Sequence, residues 1–266
     1  MRKIQNPKIS VITVVKNGMP YIEDSINSFK NQKYKNKELI VVCSKSFDGS
    51  EVFFKKNKNK INKLIFDKKS LNKYEAINLG IKNATGTLIA ILHADDFYPE
   101  QQIFKKVAIE YLKNKDIDLI YGNVLFCKRN NINKISRYWK SEQYSGKKIN
   151  NGWMPPHTTL FVNKKIYKKI KYSAKYQISS DYDFIIKLFS KKINIKYLDL
   201  DITVMRLGGI STNLKYIFLK TFEDMIVLKS FKKNYIKMIP YKVFSKILQL
   251  FFLKKKNLVI KLKVII

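Results

Sequence analysis

Gly86-Thr-Leu-Ile-Ala-Ile-Leu-His-Ala-Asp-Asp-Phe-Tyr-Pro99 is the stretch that decides how the chain folds. The unbroken apolar run from Leu88 to Leu92 reads as a strand buried on both faces, the kind found in the middle of a parallel sheet. It ends abruptly in two adjacent carboxylates, Asp95 and Asp96, with Pro99 three residues on. Open α/β sheets bind ligands where their central strands leave the core, so the acids stand at the ligand edge. Two carboxylates side by side repel each other unless a cation lies near them, and a divalent metal shared with a phosphorylated ligand answers that need. A plainer reading is that they cap a helix beginning near Tyr98, since Asp is favoured at helix N-termini. The pair alone supports both.

Working outward, Ile9 to Val15 is a β-branched run read as a first buried strand, closed by Lys16-Asn-Gly18 and Pro20 ahead of an amphipathic helix to about Gln32. Glu38 to Cys43 reads as a second strand, and the loop Ser44 to Ser50 leads into a helix that Asp48 or Ser50 can cap. Lys63 to Phe66 makes a short third strand and Asn72 to Asn83 a helix. Strands alternating with helices of this length predict an α/β fold with a largely parallel sheet and right-handed crossovers. Residues 1–100 are therefore expected to form a nucleotide-binding half. A helix is expected over Phe97–Asn114, after which the texture changes. Ile117–Tyr121, Asn123–Cys127 and Ile135–Trp139 are short strand-like runs of antiparallel character, and Ile195–Leu198 and Ile202–Met205 read as two more. From Leu214 the chain reads as Lys-rich amphipathic helices with no evident catalytic grouping.

The chain has 266 residues, 45% of them hydrophobic, enough for one substantial α/β domain with an appendage. A formal charge of +33 would ordinarily suggest nucleic acid. The excess is nearly all Lys, however, spread over every surface segment together with Asn and Ile, a composition that follows from an AT-rich coding bias. Arg, which reads phosphates and bases bidentately, occurs only at 2, 129, 137 and 206. No nucleic-acid partner is expected, whereas an anionic membrane surface would still attract so basic a chain. Cys43 and Cys127 lie in separate apolar runs without a CxxC, which fits a reducing compartment. The residues before Ile9 lack the apolar stretch of an export signal, and no apolar run approaches the roughly 20 residues that span a bilayer. A cytoplasmic location, peripheral at most to the inner face of the membrane, is expected.

Ile9 to Gly18, Ser46-Phe-Asp-Gly-Ser50, Ala76-Ile-Asn-Leu-Gly80 with Ala84-Thr-Gly86, Ala94-Asp-Asp96, Pro156-His157, Ser180-Asp-Tyr-Asp183 and Gly208-Gly-Ile-Ser211 occur in this order. In order and spacing they resemble the family 2 glycosyltransferases of the GT-A fold, most of all the bacterial branch that builds surface polysaccharides. The likeness covers roughly residues 8 to 213. It implies a Rossmann-like GT-A domain over 1–213, in which 101–213 form an acceptor-binding half, and a basic helical appendage over 214–266. It also implies an inverting, metal-dependent transferase that moves a hexose or N-acetylhexosamine from a nucleotide-diphosphate sugar, a UDP-sugar first of all, to a glycan or polyprenyl-linked glycan hydroxyl.

By the same resemblance Asp96 is the ligand of Mn²⁺ or Mg²⁺ and Asp95 faces ribose or donor sugar, with Thr13, Val15, Asp48 and Asn78 completing the nucleotide-sugar site. Asp181 matches the general base. Asp183 is the alternative base or simply a helix cap. Trp153 and His157 fall in the acceptor-side loop, His157 as an acceptor or diphosphate contact or as a surface histidine, and His93 is a supporting residue beside the acids. Gly208 and Gly209 belong to a loop that closes over the donor, or to an ordinary turn. Two positions depart from the pattern. Cys43 stands where an Asp often binds the uracil ring, and Ser70, with Asp67 nearby, where an acid often precedes the third helix. A thiol accepts hydrogen bonds poorly. That departure motivates a second reading, an inactive glycosyltransferase fold kept as a binding or scaffold protein, against which stand Asp95, Asp96 and Asp181.

The tail from Ile236 to Leu253 interleaves large apolar residues with Lys, as an interfacial helix does or as a helix packed on its own domain does. Leu258 to Ile266 reads as a last strand or a frayed end.

Overall fold

The structure, a computed structural model, describes residues 6–69, 71–209 and 216–255. Ser70, the segment 210–215 and the final stretch 256–266, with the expectations placed on them, lie outside the described residues.

The elements run β1 (Ile9–Val15), α1 (Ile22–Lys30), β2 (Lys37–Ser44), α2 (Ser50–Lys56), β3 (Lys63–Asp67), α3 (Lys73–Asn83), β4 (Leu88–Ile91) and α4 (Ile103–Lys113). There follow β5 (Leu119–Lys128), β6 (Asn131–Trp139), α5 (Gly146–Asn150), β7 (Phe161–Asn163), α6 (Lys164–Tyr167), α7 (Ser180–Phe189), β8 (Ile195–Arg206), α8 (Ile217–Ser230) and α9 (Tyr235–Lys255). The sheet has the order β3-β2-β1-β4-β7-β5-β6, with β8 alongside β5. β1, β2, β3 and β4 pair in parallel, β7 enters antiparallel between β4 and β5, and β8 returns parallel to β5. The result is the mixed, mostly parallel α/β sheet flanked by helices that the alternation predicts.

The apolar runs explain this order. Leu88, Ile89, Ala90 and Ile91 are all buried, because β4 has a strand on each side and side chains packed over both faces. On one face, Ala90 joins Val11, Phe104 and Phe161; on the other, Ile89 joins Ile12, Ile77 and Val162. α3 lies close to β1 where Gly80 has no side chain, since a Cβ there would come within 2.3 Å of Ile12 Cγ2. Its start is fixed by a capping box between Asn72 and Glu75.

Three expectations change. Ile117–Tyr121 and Asn123–Cys127 are one strand, β5, and Ile195–Leu198 and Ile202–Met205 are one strand, β8. The apparent breaks are a bulge, with register shifts between Tyr121 and Val124, at Gly122, where a Cβ would sit 2.5 Å from the Leu200 carbonyl. The helix expected from Phe97 begins only at Ile103. Phe97 instead exchanges backbone hydrogen bonds with Val204 of β8, at 3.1 and 2.8 Å. Asp95 and Asp96 therefore occupy a tight turn tied to the sheet, and they cap no helix.

Candidate active site

The parallel strands β1, β2 and β4 all end at one edge. There, the β1–α1 loop, the turn after β4, the end of β8 and the N-terminal turns of α3 and α7 surround a cleft of about 500 Å³. Both acidic segments singled out in the sequence reach it: Asp95 and Asp96 from the turn after β4, and Asp181 from the first turn of α7.

The two adjacent acids have different surroundings. Asp95 is matched by Arg129, whose Nη1 donates to its Oδ2 at 3.2 Å while the guanidinium stacks over the Tyr21 ring at 4.4 Å. Its backbone carbonyl accepts from Arg206 Nη1 at 2.6 Å. Arg206 is buried, lies against the rings of Tyr21 and Phe97, and pairs with Asp24. Asp96 is only 1% exposed, and its Oδ2 has no hydrogen-bond partner among the described residues. Burial and the neighbouring Asp95 hold its carboxyl well above the usual carboxylate range, against the pull of Lys73 and Arg206.

A buried carboxylate oxygen without a donor is costly, and a cation arriving with a ligand removes that cost. Among the described residues no group of three or more His, Cys, Asp or Glu is arranged to enclose a metal. A carboxylate that lines the cleft with one oxygen unpaired among the described residues suits Mg²⁺ or Mn²⁺, which keep most of their coordination for water and substrate phosphate.

On the α7 side, Asp181 Oδ1 accepts from the Tyr182 backbone N–H at 2.8 Å, and Oδ2 faces His157 Nδ1 at 3.2 Å. Burial pushes this carboxyl upward, but electrostatic interaction with His157, Lys220, Lys73 and Lys242 outweighs it and holds the group below the ordinary Asp value. His157 is itself pushed down to about 4, first by burial, with Lys73 and Lys220 adding to it and Asp181 opposing. Its other nitrogen, Nε2, lies 2.9 Å from Nε2 of His93.

The segment leading into α7 is fixed from α8, where Glu223 accepts from the backbone N–H groups of Gln177, Ile178 and Ser179 at 2.8 to 2.9 Å. Nothing in the Lys-rich sequence after Leu214 signalled that support.

Other expected residues are distributed unevenly. Val15 lines the cleft, as do Gly208, in the left-handed region at φ +94°, and Gly209. Thr13 is buried within β1 and does not line it. Asp48 stands outside, its carboxylate used by Met19 N–H, Ser50 N–H and Ser50 Oγ at 2.7 to 3.0 Å, so that it ties two loops together. Asn78 is likewise consumed, exchanging hydrogen bonds with the backbone of Tyr172 at 2.8 and 3.1 Å. Trp153 is buried edge-on against Tyr121 and Phe189, a core position. Asp183 is buried and ion-paired with Lys187 at 2.5 Å, and burial raises its carboxyl. The geometry thus separates the two candidate bases, since Asp181 lines the cleft and Asp183 does not.

Cys43 is buried with its thiol on the Ser44 carbonyl, burial first of all pushing it up to about 11. Ser44 reaches the cleft instead, its hydroxyl donating to Asp67. The sequence reading missed Arg129, Arg206, Tyr21 and Lys73. The scarcity of Arg was the available signal, since two of the four in the chain converge on Asp95.

The family model for glycosyl transferase family 2 matches residues 10–198. An uncharacterised glycosyltransferase of Methanocaldococcus jannaschii is 29% identical over 241 residues, 87% of this chain and 82% of that one. Another, from Haemophilus influenzae, is 26% identical over 239 residues, 88% and 93% of the two chains. Among solved structures, a mannosyltransferase of Pyrobaculum calidifontis in complex with GDP-Man and Mn²⁺ superposes with a TM-score of 0.63 at 14% identity, covering 91% of this chain and 70% of that one. S. aureus TarS residues 1–349 in complex with UDP-GlcNAc gives 0.60 at 19% identity, over 75% and 58%. At such identities the structural likeness speaks for the fold.

Proposed function

The chain belongs to glycosyl transferase family 2, and from its cleft we propose an inverting transferase that moves a hexose or N-acetylhexosamine from a nucleotide-diphosphate sugar to a glycan hydroxyl. The observation that carries this reading is the pairing, across one cleft, of a buried carboxylate with one oxygen unpartnered among the described residues, Asp96, with a hydrogen-bonded and accessible one, Asp181.

In this reading the donor lies along the ends of β1 and β4. Arg129 and Arg206 fix Asp95 so that its free edge faces the sugar or ribose. Asp96 would hold Mn²⁺ or Mg²⁺, which when bound neutralises charge on the departing diphosphate. Asp181 takes the proton from the acceptor hydroxyl as that oxygen attacks the anomeric carbon. Its lowered pKa keeps it ionised, and hence able to accept a proton, throughout the neutral range. Inversion follows from a single displacement with the base and the leaving group on opposite faces. Arg129, Lys73 and Lys16 line the same cleft, so an anionic donor meets charges of opposite sign there.

The mannosyltransferase neighbour holds GDP-Man with Mn²⁺ and the TarS neighbour UDP-GlcNAc, which supports a nucleotide-sugar donor, and we assign the contact with the base to Ser44, which lines the cleft, rather than to the buried Cys43. We assign the acceptor to a lipid-linked glycan of surface polysaccharide synthesis. In support, no helix among the described residues is long and apolar enough to cross a membrane, yet α8 and α9 expose Phe218 (85%), Phe222, Ile236 and Phe244 among lysines, a surface suited to an anionic interface. Retention of all three acids weighs against an inactive scaffold.

Calorimetric titration with UDP, GDP, CDP and dTDP, each with Mn²⁺ and with EDTA, tests the reading. One nucleotide should bind in a metal-dependent manner and lose that dependence in Asp96→Ala. Absence of binding to all four would favour the scaffold.

A further inference from the structure

The chain has two histidines, and they meet. His93 comes from the turn after β4 and His157 from the loop before β7, 64 residues apart, with their Nε2 atoms 2.9 Å from each other and their rings tilted at 55°. A contact of that length between two ring nitrogens needs one N–H and one lone pair. His157 already turns Nδ1 to Asp181 Oδ2, an acceptor, so its proton belongs on Nδ1. Burial keeps the ring neutral, which leaves Nε2 as a lone pair. The proton between the rings is then on His93. One arrangement satisfies both contacts: His93 Nε2–H donates to His157 Nε2, and the His157 Nδ1–H faces Asp181 Oδ2 at 3.2 Å.

Resting on the transferase reading, we infer that His93 is a positioning residue for the sugar-transfer step, acting through His157 to orient the Asp181 carboxylate. The contacts show why the second ring matters. A neutral imidazole chooses between its tautomers by the partners it finds, and His157 with the proton on Nε2 would turn a lone pair toward a carboxylate. His93 removes that choice by occupying Nε2 with its own N–H. Oδ2 of Asp181 is thereby kept facing the N–H side of the ring, which directs the carboxylate. Neither histidine then needs to touch the sugar. Both nitrogens of His157 are engaged within the protein, so its place in the cleft wall is that of an orienting group rather than a direct acceptor contact.

The test uses the fact that two imidazoles give a spectrum of two. Long-range ¹H–¹⁵N correlation of the full-length protein at neutral pH should show one ring protonated at Nδ1 and one at Nε2. His93→Gln, which leaves an amide N–H to offer, should keep the remaining ring in the Nδ1–H form, and His93→Leu should release it to a tautomer mixture. In transfer assays His93→Leu should lower kcat about 10- to 100-fold with the donor KM within about twofold, and His93→Gln should recover most of the loss. In a His157→Asn background His93→Leu should cost less than about twofold, because nothing remains for it to act through.

Two Nε2–H rings in the wild type, or an equal cost of His93→Leu with and without His157, would overturn the inference while leaving the transferase reading in place. A wild-type protein that binds no nucleotide in the titrations above would overturn that reading, and this role for His93 with it.

Discussion

Replacing Asp96 with Asn should make the metal-free protein more stable. The carboxylate is 1% exposed, sits beside Asp95, and has an oxygen with no donor among the described residues. An unsatisfied buried polar group costs about 1–3 kcal/mol, and more when charged. Arg129, at 3.2 Å from Asp95, relieves part of the repulsion between the two acids. The amide keeps the shape, removes the charge and still has polar atoms to satisfy, so a net gain of about 1–2 kcal/mol is expected. For a chain of this size that corresponds to a rise in Tm of roughly 2–8 °C. Differential scanning calorimetry in EDTA measures it directly. Addition of Mn²⁺ with the cognate nucleoside diphosphate at about 100 times its Kd should stabilise the wild type by about 2.7 kcal/mol and the variant far less, reversing the order. An Asn variant with an unchanged or lower Tm in EDTA would refute the reasoning, because Asp96 would then have a partner in the free protein.

The two acids of α7 should behave oppositely. Asp181→Asn should lower kcat by about 10²- to 10⁴-fold with nucleotide binding retained, whereas Asp183→Asn, which only unpairs Lys187, should leave kcat within a few-fold in the same steady-state assay. Glu38 is half of a pH-dependent clamp between β1, β2 and the start of β4. Burial pushes its carboxyl up, but hydrogen bonds from Lys8, Ser10 and Thr85 outweigh this and bring it down to about 2 from 4.5. With a depressed pKa, its stabilisation is complete above pH 4.5 and lost as the pH falls toward 2. It amounts to about 3 kcal/mol by linkage, and acid unfolding of Glu38→Gln should lack that slope. Co-sedimentation with anionic phosphatidylglycerol vesicles should fall several-fold in Phe218→Ser/Phe222→Ser and with rising salt, while binding to neutral phosphatidylcholine should be weak in both proteins.

Much of the nucleotide-binding half was legible because its signals are local. β-Branched runs such as Ile9–Val15 leave little choice but a buried strand, and the acids after Leu92 mark the edge where such strands end. Asp181 was legible through its motif, although only packing distinguishes it from Asp183, two residues away on the same helix. The remainder depends on long-range contacts. Trp153 sits in a Pro- and aromatic-rich loop that reads like a ligand platform, but whether an indole faces a cleft or a core is set by Tyr121 and Phe189, from β5 and α7. Asn78 and Asp48 have chemistry suited to a ligand and spend it on neighbouring backbone. Arg129 and Arg206 belong to no motif. They reach Asp95 because β5 and β8 run side by side, a pairing that β8's apparent interruption concealed in the sequence.

The most direct test of the account is anomalous diffraction at the manganese edge from crystals grown with Mn²⁺ and the nucleoside diphosphate selected by calorimetry. The account predicts one strong peak about 2.0–2.2 Å from an Asp96 carboxylate oxygen, shared with the diphosphate, in the cleft that Asp181 lines. A nucleotide bound in that cleft with no peak at Asp96, or a peak and nucleotide bound elsewhere on the protein, would contradict it.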